Sequence, residues 1–163
     1  MREPDLRLTA TSADETRAIG ARLAHALVAA DLREPFVVGL CGDLGAGKTT
    51  LVGGLLAALG HDGPARSPTY ALIEPYRLAG RDVYHCDLYR LRHPDELEDL
   101  GLRDLLTGSS MLLVEWPERA GDRLREPDLR LRLDYTEAGR QVAVTARSAA
   151  GRQVLARLRL DRV

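Results

Sequence analysis

The chain has 163 residues, of which 45% are hydrophobic and 29% charged, a composition typical of one globular domain over residues 1–163. The net charge is −1, from 23 basic and 24 acidic residues, which argues against nucleic-acid binding through a basic patch of its own. No hydrophobic run approaches the about 18 residues of a membrane span, and the N-terminus lacks the apolar segment of a secretory signal, so we expect a cytoplasmic protein.

The first half of the chain predicts two strands and two helices. Residues 6–10 predict a short edge strand, and S-A-D-E at 12–15 is a capping box that opens a helix ending near Asp31. Residues 36–41, FVVGLC, form a continuous apolar run, which is typical of a strand covered on both faces. A glycine-rich turn follows, and residues 49–60 predict a helix.

The second half predicts two hairpins, short helices and a further buried strand. The elements are a hairpin of 69–77 and 82–91, two short helices within 93–106 broken at Gly101, a buried strand at 111–116, a hairpin of 129–135 and 141–147 around TEAGR, and an amphipathic helix at 148–160 capped by Ser148. Strands that alternate with helices around two buried apolar strands predict an α/β fold, a sandwich with a mixed parallel and antiparallel central sheet.

The two cysteines, Cys41 and Cys86, lie within apolar runs and do not have CxxC spacing. Buried free thiols without a disulfide partner are therefore expected.

The stretch GDLGAGKT at 42–49 fits the phosphate-loop pattern G-x-x-x-x-G-K-[ST]. Its glycines let the backbone curl so that the N–H groups point inward, towards a phosphate. Lys48, the only lysine of the chain, would place a point charge between the β- and γ-phosphates, and the Thr49 hydroxyl would ligate Mg²⁺. The predicted nucleotide-binding residues are Gly42, Asp43, Leu44, Gly45, Ala46, Gly47, Lys48, Thr49 and Thr50.

The nucleotide is expected to be ATP. Guanine-specific proteins of this class read the base with N-K-x-D, and this chain has no asparagine and no second lysine. One hypothesis for the reaction is hydrolysis of ATP. A small P-loop kinase, with 90–103 imitating a lid, and a nucleotide-sensing module without turnover are the alternatives.

Two further segments carry candidates for the metal and the γ-phosphate. Glu115 ends a predicted buried strand, where a carboxylate aimed at Mg²⁺ is expected; the alternative is a charge at the start of a helix before Pro117. Thr69, in SPTY at 67–70, could sense the γ-phosphate, or belong to a plain turn. Trp116 either packs under the following turn or lies exposed at a partner surface.

A second carboxylate, Asp87, lies in YHCDLYR. Alternation places Val83, His85, Asp87 and Tyr89 on one strand face. A charge inside an otherwise apolar strand needs a partner or a task. Asp87 is therefore a candidate for orienting the attacking water, with a structural ion pair to Arg90 or a neighbouring arginine as the alternative. His85 is open between a packing role and contact with the site.

The ordered segments GDLGAGKTT, SPTYALIEPY, VYHCDLYRL, DELEDLGLRDLL and LLVEWPE, within about residues 12–150, together resemble the TsaE (YjeE) family, bacterial ATPases of tRNA threonylcarbamoyladenosine synthesis. The resemblance implies a P-loop NTPase-like three-layer sandwich and a slow Mg²⁺-dependent ATPase that joins the TsaB–TsaD pair. It implies that tRNA is reached only indirectly, since the ligase chemistry belongs to the partners.

Position by position, the resemblance implies roles for the residues that match the family's motifs. Lys48 and Thr49 match its phosphate and metal residues, and Glu115 its magnesium carboxylate. Asp87 matches the acidic residue thought to assist hydrolysis. Thr69 falls in the switch-like segment, and Trp116 matches the adjoining tryptophan. Thr11, Ser12, Gly139 and Arg140 are implied to border the nucleotide. Cys86 departs from the aromatic often found between His and Asp.

Overall fold

A mixed sheet of seven strands runs through the part of the chain that the computed structural model describes, residues 2–65 and 72–161. The strands are β1 (Leu6–Ala10), β2 (Phe36–Cys41), β3 (Ile73–Leu78), β4 (Arg81–Asp87), β5 (Met111–Glu115), β6 (Leu129–Thr136) and β7 (Gly139–Ala146). Their order is β1-β7-β6-β2-β5-β4-β3, in which β6, β2, β5 and β4 are mutually parallel and the outer pairs are antiparallel. The predicted mixed sheet and the edge position of β1 are confirmed.

Helices cover both faces of this sheet. They are α1 (Ala13–Ala29), α2 (Lys48–Ala58), α3 (Glu96–Asp99), α4 (Leu102–Leu105) and α5 (Ala149–Leu160), with a 3₁₀ segment at Pro117–Arg123. Side chains of β2 alternate between the faces: Phe36 and Val38 pack in the core with α1, α2 and α5, whereas Val37 packs with α3, α4 and the 3₁₀ segment. The α/β three-layer architecture is confirmed.

Both predicted serine caps are present. Ser12 Oγ accepts a hydrogen bond from Glu15 N at 3.1 Å, and Ser148 Oγ accepts one from Gly151 N at 2.9 Å. The Glu15 carboxylate reaches back to Thr11 N, which varies the expected capping box by one residue. Helix α1 ends slightly earlier than predicted, at Ala29.

The predicted strand over 82–91 is too long, because β4 ends at Asp87. The chain turns there: Leu88 N donates to Glu115 O at 3.0 Å, and Leu91 N donates to Leu88 O at 3.0 Å. Tyr89 therefore does not share the strand face of Asp87, which corrects the predicted alternation. The other strand of this hairpin, β3, begins at Ile73, and residues 66–71, which include the predicted start of the strand, lie outside the described residues.

The second hairpin has a tighter turn than predicted. Strands β6 and β7 pair as far as Thr136 and Gly139, so the turn between them consists of Glu137 and Ala138. Gly139 and Arg140 consequently belong to β7 rather than to a loop. This placement fixes the backbone of Arg140 between β1 and β6, where it pairs with Ala10 and Tyr135.

Two glycines set the distance between α1 and α2. A Cβ added at Gly20 would lie 2.1 Å from Leu51 O, and a Cβ added at Gly54 would lie 2.1 Å from Arg17 O. The helix backbones are thus in direct contact, which no side chain would permit. Since the phosphate-loop pattern leads into α2, this contact fixes the position of the loop against the sheet.

Among the helices described, none is both long and apolar enough to cross a membrane.

Candidate functional site

The predicted phosphate loop connects β2 to α2. β2 ends at Cys41 and α2 begins at Lys48, as a strand–loop–helix phosphate site requires. Three loop residues have positive φ: Gly42 (139°), Gly45 (80°) and Gly47 (107°). These values lie where side chains are disfavoured, so the glycines provide the curl expected of them.

Both cysteines are free and buried, as predicted.

Lys48 lies inside the loop. The residue is 4% exposed, and its Nζ donates to Gly42 O at 2.6 Å and to Asp43 O at 2.9 Å. Burial lowers the pKa of Lys48, and the negative charges of Glu115 and Asp87 partly oppose this. The site therefore holds a buried cation next to carboxylates, an arrangement that is common where charge is used for binding.

Glu115 forms the second charged centre of the site. Glu115 is 2% exposed, and its carboxylate accepts a hydrogen bond from the Thr49 hydroxyl, which lies 3.0 Å from Oε1 and 3.1 Å from Oε2. The carboxylate also accepts a hydrogen bond from His85 Nε2 at 2.6 Å. A charge that merely starts a helix would lie at the surface, so these contacts favour the interpretation as a site residue over the alternative before Pro117.

His85 is fully buried and touches the site through Glu115. Its backbone pairs with Leu113, two positions before the Asp87–Glu115 pair in the β4–β5 register. Its Nε2 donates to the carboxylate, and its Nδ1 has no hydrogen-bond partner within the described residues. This geometry makes His85 a support for Glu115 rather than a base acting on solvent.

Asp87 lies opposite Glu115 on the neighbouring strand. The two residues pair in register between β4 and β5, and Asp87 Oδ1 accepts a hydrogen bond from Tyr89 N at 3.0 Å. Both carboxylates line one cavity of about 420 Å³. Its walls are Leu44, Gly45, Gly47, Lys48, Thr49, Thr50, Leu72, Asp87, Tyr89, Arg90, Glu115 and Trp116. The predicted catalytic residues are therefore brought together at the carboxyl ends of β2, β4 and β5.

Trp116 forms a wall of this cavity. Its backbone is left-handed (φ 59°, ψ 49°), a rare conformation for a bulky residue that is typical of functional sites. The indole ring lies 4.4 Å from Lys48 Nζ and 5.2 Å from the Tyr89 ring. Trp116 is half-buried, and its ring packs against Lys48 in the site. It therefore neither packs under the following turn nor lies fully exposed, the two alternatives that the sequence left open.

A second cavity, of about 160 Å³, also borders the loop and shares Gly45, Gly47 and Thr50 with the first. Its other walls include the residues that the resemblance implied for the nucleotide border, namely Thr11, Ser12, Gly139 and Arg140. Arg140 also donates to loop carbonyls, from Nε to Ala46 O at 3.0 Å. Thr69 lies outside the described residues.

One residue beside the loop has no signal in the sequence motifs. Tyr135, at the end of β6, donates from its hydroxyl to Leu44 O at 3.3 Å, although 91 residues separate the two. Only the cross-strand pairing of β6 with β7 and the parallel pairing of β6 with β2 bring it there.

The oxygen atoms at the site suit a hard cation. Magnesium is usually held by one or two protein groups together with phosphate oxygens and waters, and Thr49 and Glu115 supply adjacent oxygens of this kind. Within residues 2–65 and 72–161 there is no cluster of three or more His, Cys, Asp or Glu arranged to hold a metal by itself. The residues therefore fit a Mg²⁺ ion that is bound together with a phosphate ligand.

Comparison with known proteins gives the family. The family model of the threonylcarbamoyl adenosine biosynthesis protein TsaE matches residues 10–142. The chain belongs to the TsaE family. It is 41% identical over 136 residues to the tRNA threonylcarbamoyladenosine biosynthesis protein TsaE of Haemophilus influenzae, covering 83% of this chain and 86% of that protein. It is 45% identical over 121 residues to the protein of the same name from Streptomyces coelicolor, covering 72% and 78%.

A solved structure supports the same conclusion. The crystal structure of Bacillus subtilis YdiB matches this TsaE fold with a TM-score of 0.72 at 28% identity, covering 96% of this chain and 95% of that one. The resemblance inferred from the motifs is confirmed, and membership of the family assigns the chain to the biosynthesis of threonylcarbamoyladenosine in tRNA.

Proposed function

We propose that this TsaE chain is a Mg²⁺-dependent ATPase that assists threonylcarbamoyladenosine modification of tRNA in the cytoplasm, together with the TsaB–TsaD complex. The observation that carries the proposal is the convergence of Lys48, Thr49, Asp87 and Glu115 on one cavity beside a phosphate loop. The chain reaches tRNA through its partners, in keeping with its net charge of −1.

The two cavities suggest how ATP is bound. Because they share Gly45, Gly47 and Thr50, a ligand can run along the loop from one to the other. The larger cavity contains Lys48 and suits the β- and γ-phosphates, which require positive charge and inward N–H groups. The smaller cavity, bordered by Thr11, Ser12, Gly139 and Arg140, then receives the nucleoside.

Thr49 and Glu115 would hold the magnesium ion. When bound, Mg²⁺ neutralises charge on the β- and γ-phosphate oxygens. The Thr49 hydroxyl donates to the Glu115 carboxylate at 3.0 Å, so the two groups proposed to hold the ion are adjacent. The His85 N–H at 2.6 Å keeps the carboxylate oriented.

Asp87 is assigned to the attacking water. Its backbone lies opposite Glu115, so the two carboxylates enter the cavity from neighbouring strands. Asp87 lines the same cavity as Glu115, and in the proposed reaction its carboxylate accepts a hydrogen bond from the attacking water and aligns it with the γ-phosphorus. Attack forms a bond between the water oxygen and the γ-phosphorus and breaks the bond to the bridging oxygen, so that ADP, phosphate and a proton leave.

The segment proposed as a kinase lid is packed against the sheet, which favours a hydrolase. Leu91, Leu97 and Leu102 are buried in the core on the second face. Arg123 fixes α3 further through ion pairs to Asp95 and Glu98. A segment held this way cannot close over a second substrate without breaking the core.

Phosphate release, measured with and without TsaB–TsaD and tRNA, tests the proposal. We expect slow release from the chain alone and faster release with the partners. Asp87→Asn should preserve ATP binding and reduce turnover by about 10²-fold or more, whereas Glu115→Gln should weaken the Mg²⁺ dependence of ATP binding. Phosphorylation of a metabolite would favour a kinase, and ATP binding without turnover under every condition would favour a nucleotide-sensing module.

A further inference from the structure

Every carbonyl of the phosphate loop, residues 42–47, accepts a hydrogen bond. Lys48 Nζ donates to the first two, Gly42 O and Asp43 O, and Leu51 N donates to Gly47 O at 2.9 Å. The donors to the three carbonyls in the middle come from the β6–β7 hairpin. Tyr135 OH donates to Leu44 O at 3.3 Å, Arg140 Nη2 to Gly45 O at 3.4 Å, and Arg140 Nε to Ala46 O at 3.0 Å.

The two hairpin side chains support each other. Tyr135 and Arg140 are directly opposed in the β6–β7 register, and the guanidinium carbon lies 4.1 Å from the centroid of the tyrosine ring. The backbone of Arg140 also pairs with Ala10 of β1, so it is held on both sides by the sheet. Both donors to the loop thus belong to paired strands of the sheet.

The hydrogen bonds from Tyr135 and Arg140 to the loop carbonyls also determine where the loop N–H groups point. Because the carbonyl and the N–H group of one peptide plane point in opposite directions, donors bonded to the carbonyls of Leu44, Gly45 and Ala46 turn the N–H groups of those planes the other way, towards a bound anion. Lys48 cannot perform this task in the complex, because its ammonium is then drawn towards phosphate. The contacts from Tyr135 and Arg140 come from the β6–β7 hairpin and do not involve Lys48.

We propose that Tyr135 and Arg140 are positioning residues: their hydrogen bonds to the carbonyls of Leu44, Gly45 and Ala46 hold the phosphate loop in its binding conformation. The proposal rests on the proposed function in one respect, that the loop binds the phosphates of ATP. It assigns Arg140 a role in the loop itself, beyond any contact with the nucleoside.

The first test needs no nucleotide. Amide hydrogen exchange is measured by mass spectrometry on a peptide that covers the loop, in the ligand-free wild type and in Tyr135→Phe and Arg140→Met. Tyr135→Phe removes only the hydroxyl and keeps the ring against Arg140. Arg132→Met is the matched control, since Arg132 lies on β6 with a side chain 63% exposed and pairs with Asp134. We expect loop exchange to accelerate about tenfold in Arg140→Met, less in Tyr135→Phe, and not at all in the control.

The second test separates positioning from direct contact. Affinity is measured for ATP and for inorganic tripolyphosphate, which has neither base nor ribose. A positioning role predicts that Arg140→Met weakens both ligands by the same factor, about tenfold, and that Tyr135→Phe weakens both about threefold. Arg140→Lys, which restores a donor, should recover part of the loss.

Two results would overturn the inference. Unchanged loop exchange in both variants would show that the hairpin does not hold the loop. A loss confined to ATP, with tripolyphosphate binding intact, would show that Arg140 acts on the nucleoside only. If the wild type bound neither ligand, the proposed function would fail, and the exchange measurement would still decide the role of the hairpin.

Discussion

Replacing His85 by phenylalanine tests whether this buried ring supports Glu115. Phenylalanine keeps a ring of similar size in a fully buried position but removes the Nε2–H donor, whose nitrogen lies 2.6 Å from Glu115 Oε2. Glu115 is only 2% exposed, so water cannot readily replace the lost donor. The Thr49 hydroxyl, at 3.0 and 3.1 Å, is retained.

The magnitude follows from these contacts. A hydrogen bond to a charged group contributes about 1.5–3 kcal/mol, and stripping a buried charge of its partner costs about 3–5 kcal/mol. Because one donor remains, we expect His85→Phe to lower the free energy of unfolding by about 2–3 kcal/mol. With a urea m-value of about 2 kcal/mol/M, the unfolding midpoint should fall by about 1–1.5 M. If Glu115 holds Mg²⁺ as proposed, the apparent Mg²⁺ affinity should fall by about 10–100-fold.

A double-mutant cycle with Glu115→Gln isolates the interaction. The neutral amide loses most of the charge-assisted bond, so the double variant should be less destabilised than the sum of the two single variants, by about 1–2 kcal/mol. Cys86→Ala is the control, because Cys86 is the next residue of β4 and packs on the opposite face. It should destabilise the fold without coupling to Glu115. Additive costs for His85 and Glu115, within about 0.5 kcal/mol, would refute the supporting role.

Three further predictions follow from burial and packing. Burial raises the pKa of Cys41 to about 11 and of Cys86 to about 12, so both thiols should react with Ellman's reagent at pH 8 only after denaturation; rapid labelling of the native chain would contradict this. Gly54→Ala should destabilise by about 1–3 kcal/mol, because its Cβ would lie 2.1 Å from the α1 backbone. The matched Gly53→Ala, whose Cβ would lie 3.5 Å from its nearest neighbour, should stabilise by about 0.5–1 kcal/mol, and equal melting temperatures would show that the close contact is absent. Since burial lowers the pKa of Lys48 and phosphate needs the protonated form, ATP affinity should begin to fall as pH rises while still below the ordinary lysine value of 10.5; a constant Kd up to that pH, at fixed ionic strength, would contradict it.

The strands at the centre of the fold could be predicted because their signals are local. β2 is a continuous apolar run, β5 is apolar up to Glu115 at its end, and every residue of both strands is buried. The end of β4 could not be predicted in this way. Leu88 continues the apolar pattern and is fully buried, yet it lies outside the strand. Its N–H bonds to the carbonyl of Glu115, the last residue of β5, and its own carbonyl accepts a hydrogen bond from Leu91 N in a turn. The boundary is set by the length of the neighbouring strand.

The same distinction separates the two kinds of residue at the candidate site. Lys48 and Thr49 follow from the spacing of the loop, and Glu115 from its place at the end of an apolar run, so sequence patterns mark the groups expected to contact phosphate and metal. The residues that hold these groups come from whichever strand lies alongside. His85 reaches Glu115 through the β4–β5 register, and Tyr135 reaches the loop through the position of β6 beside β2. Supporting residues of this kind depend on sheet order, and that order becomes visible only when the chain is folded.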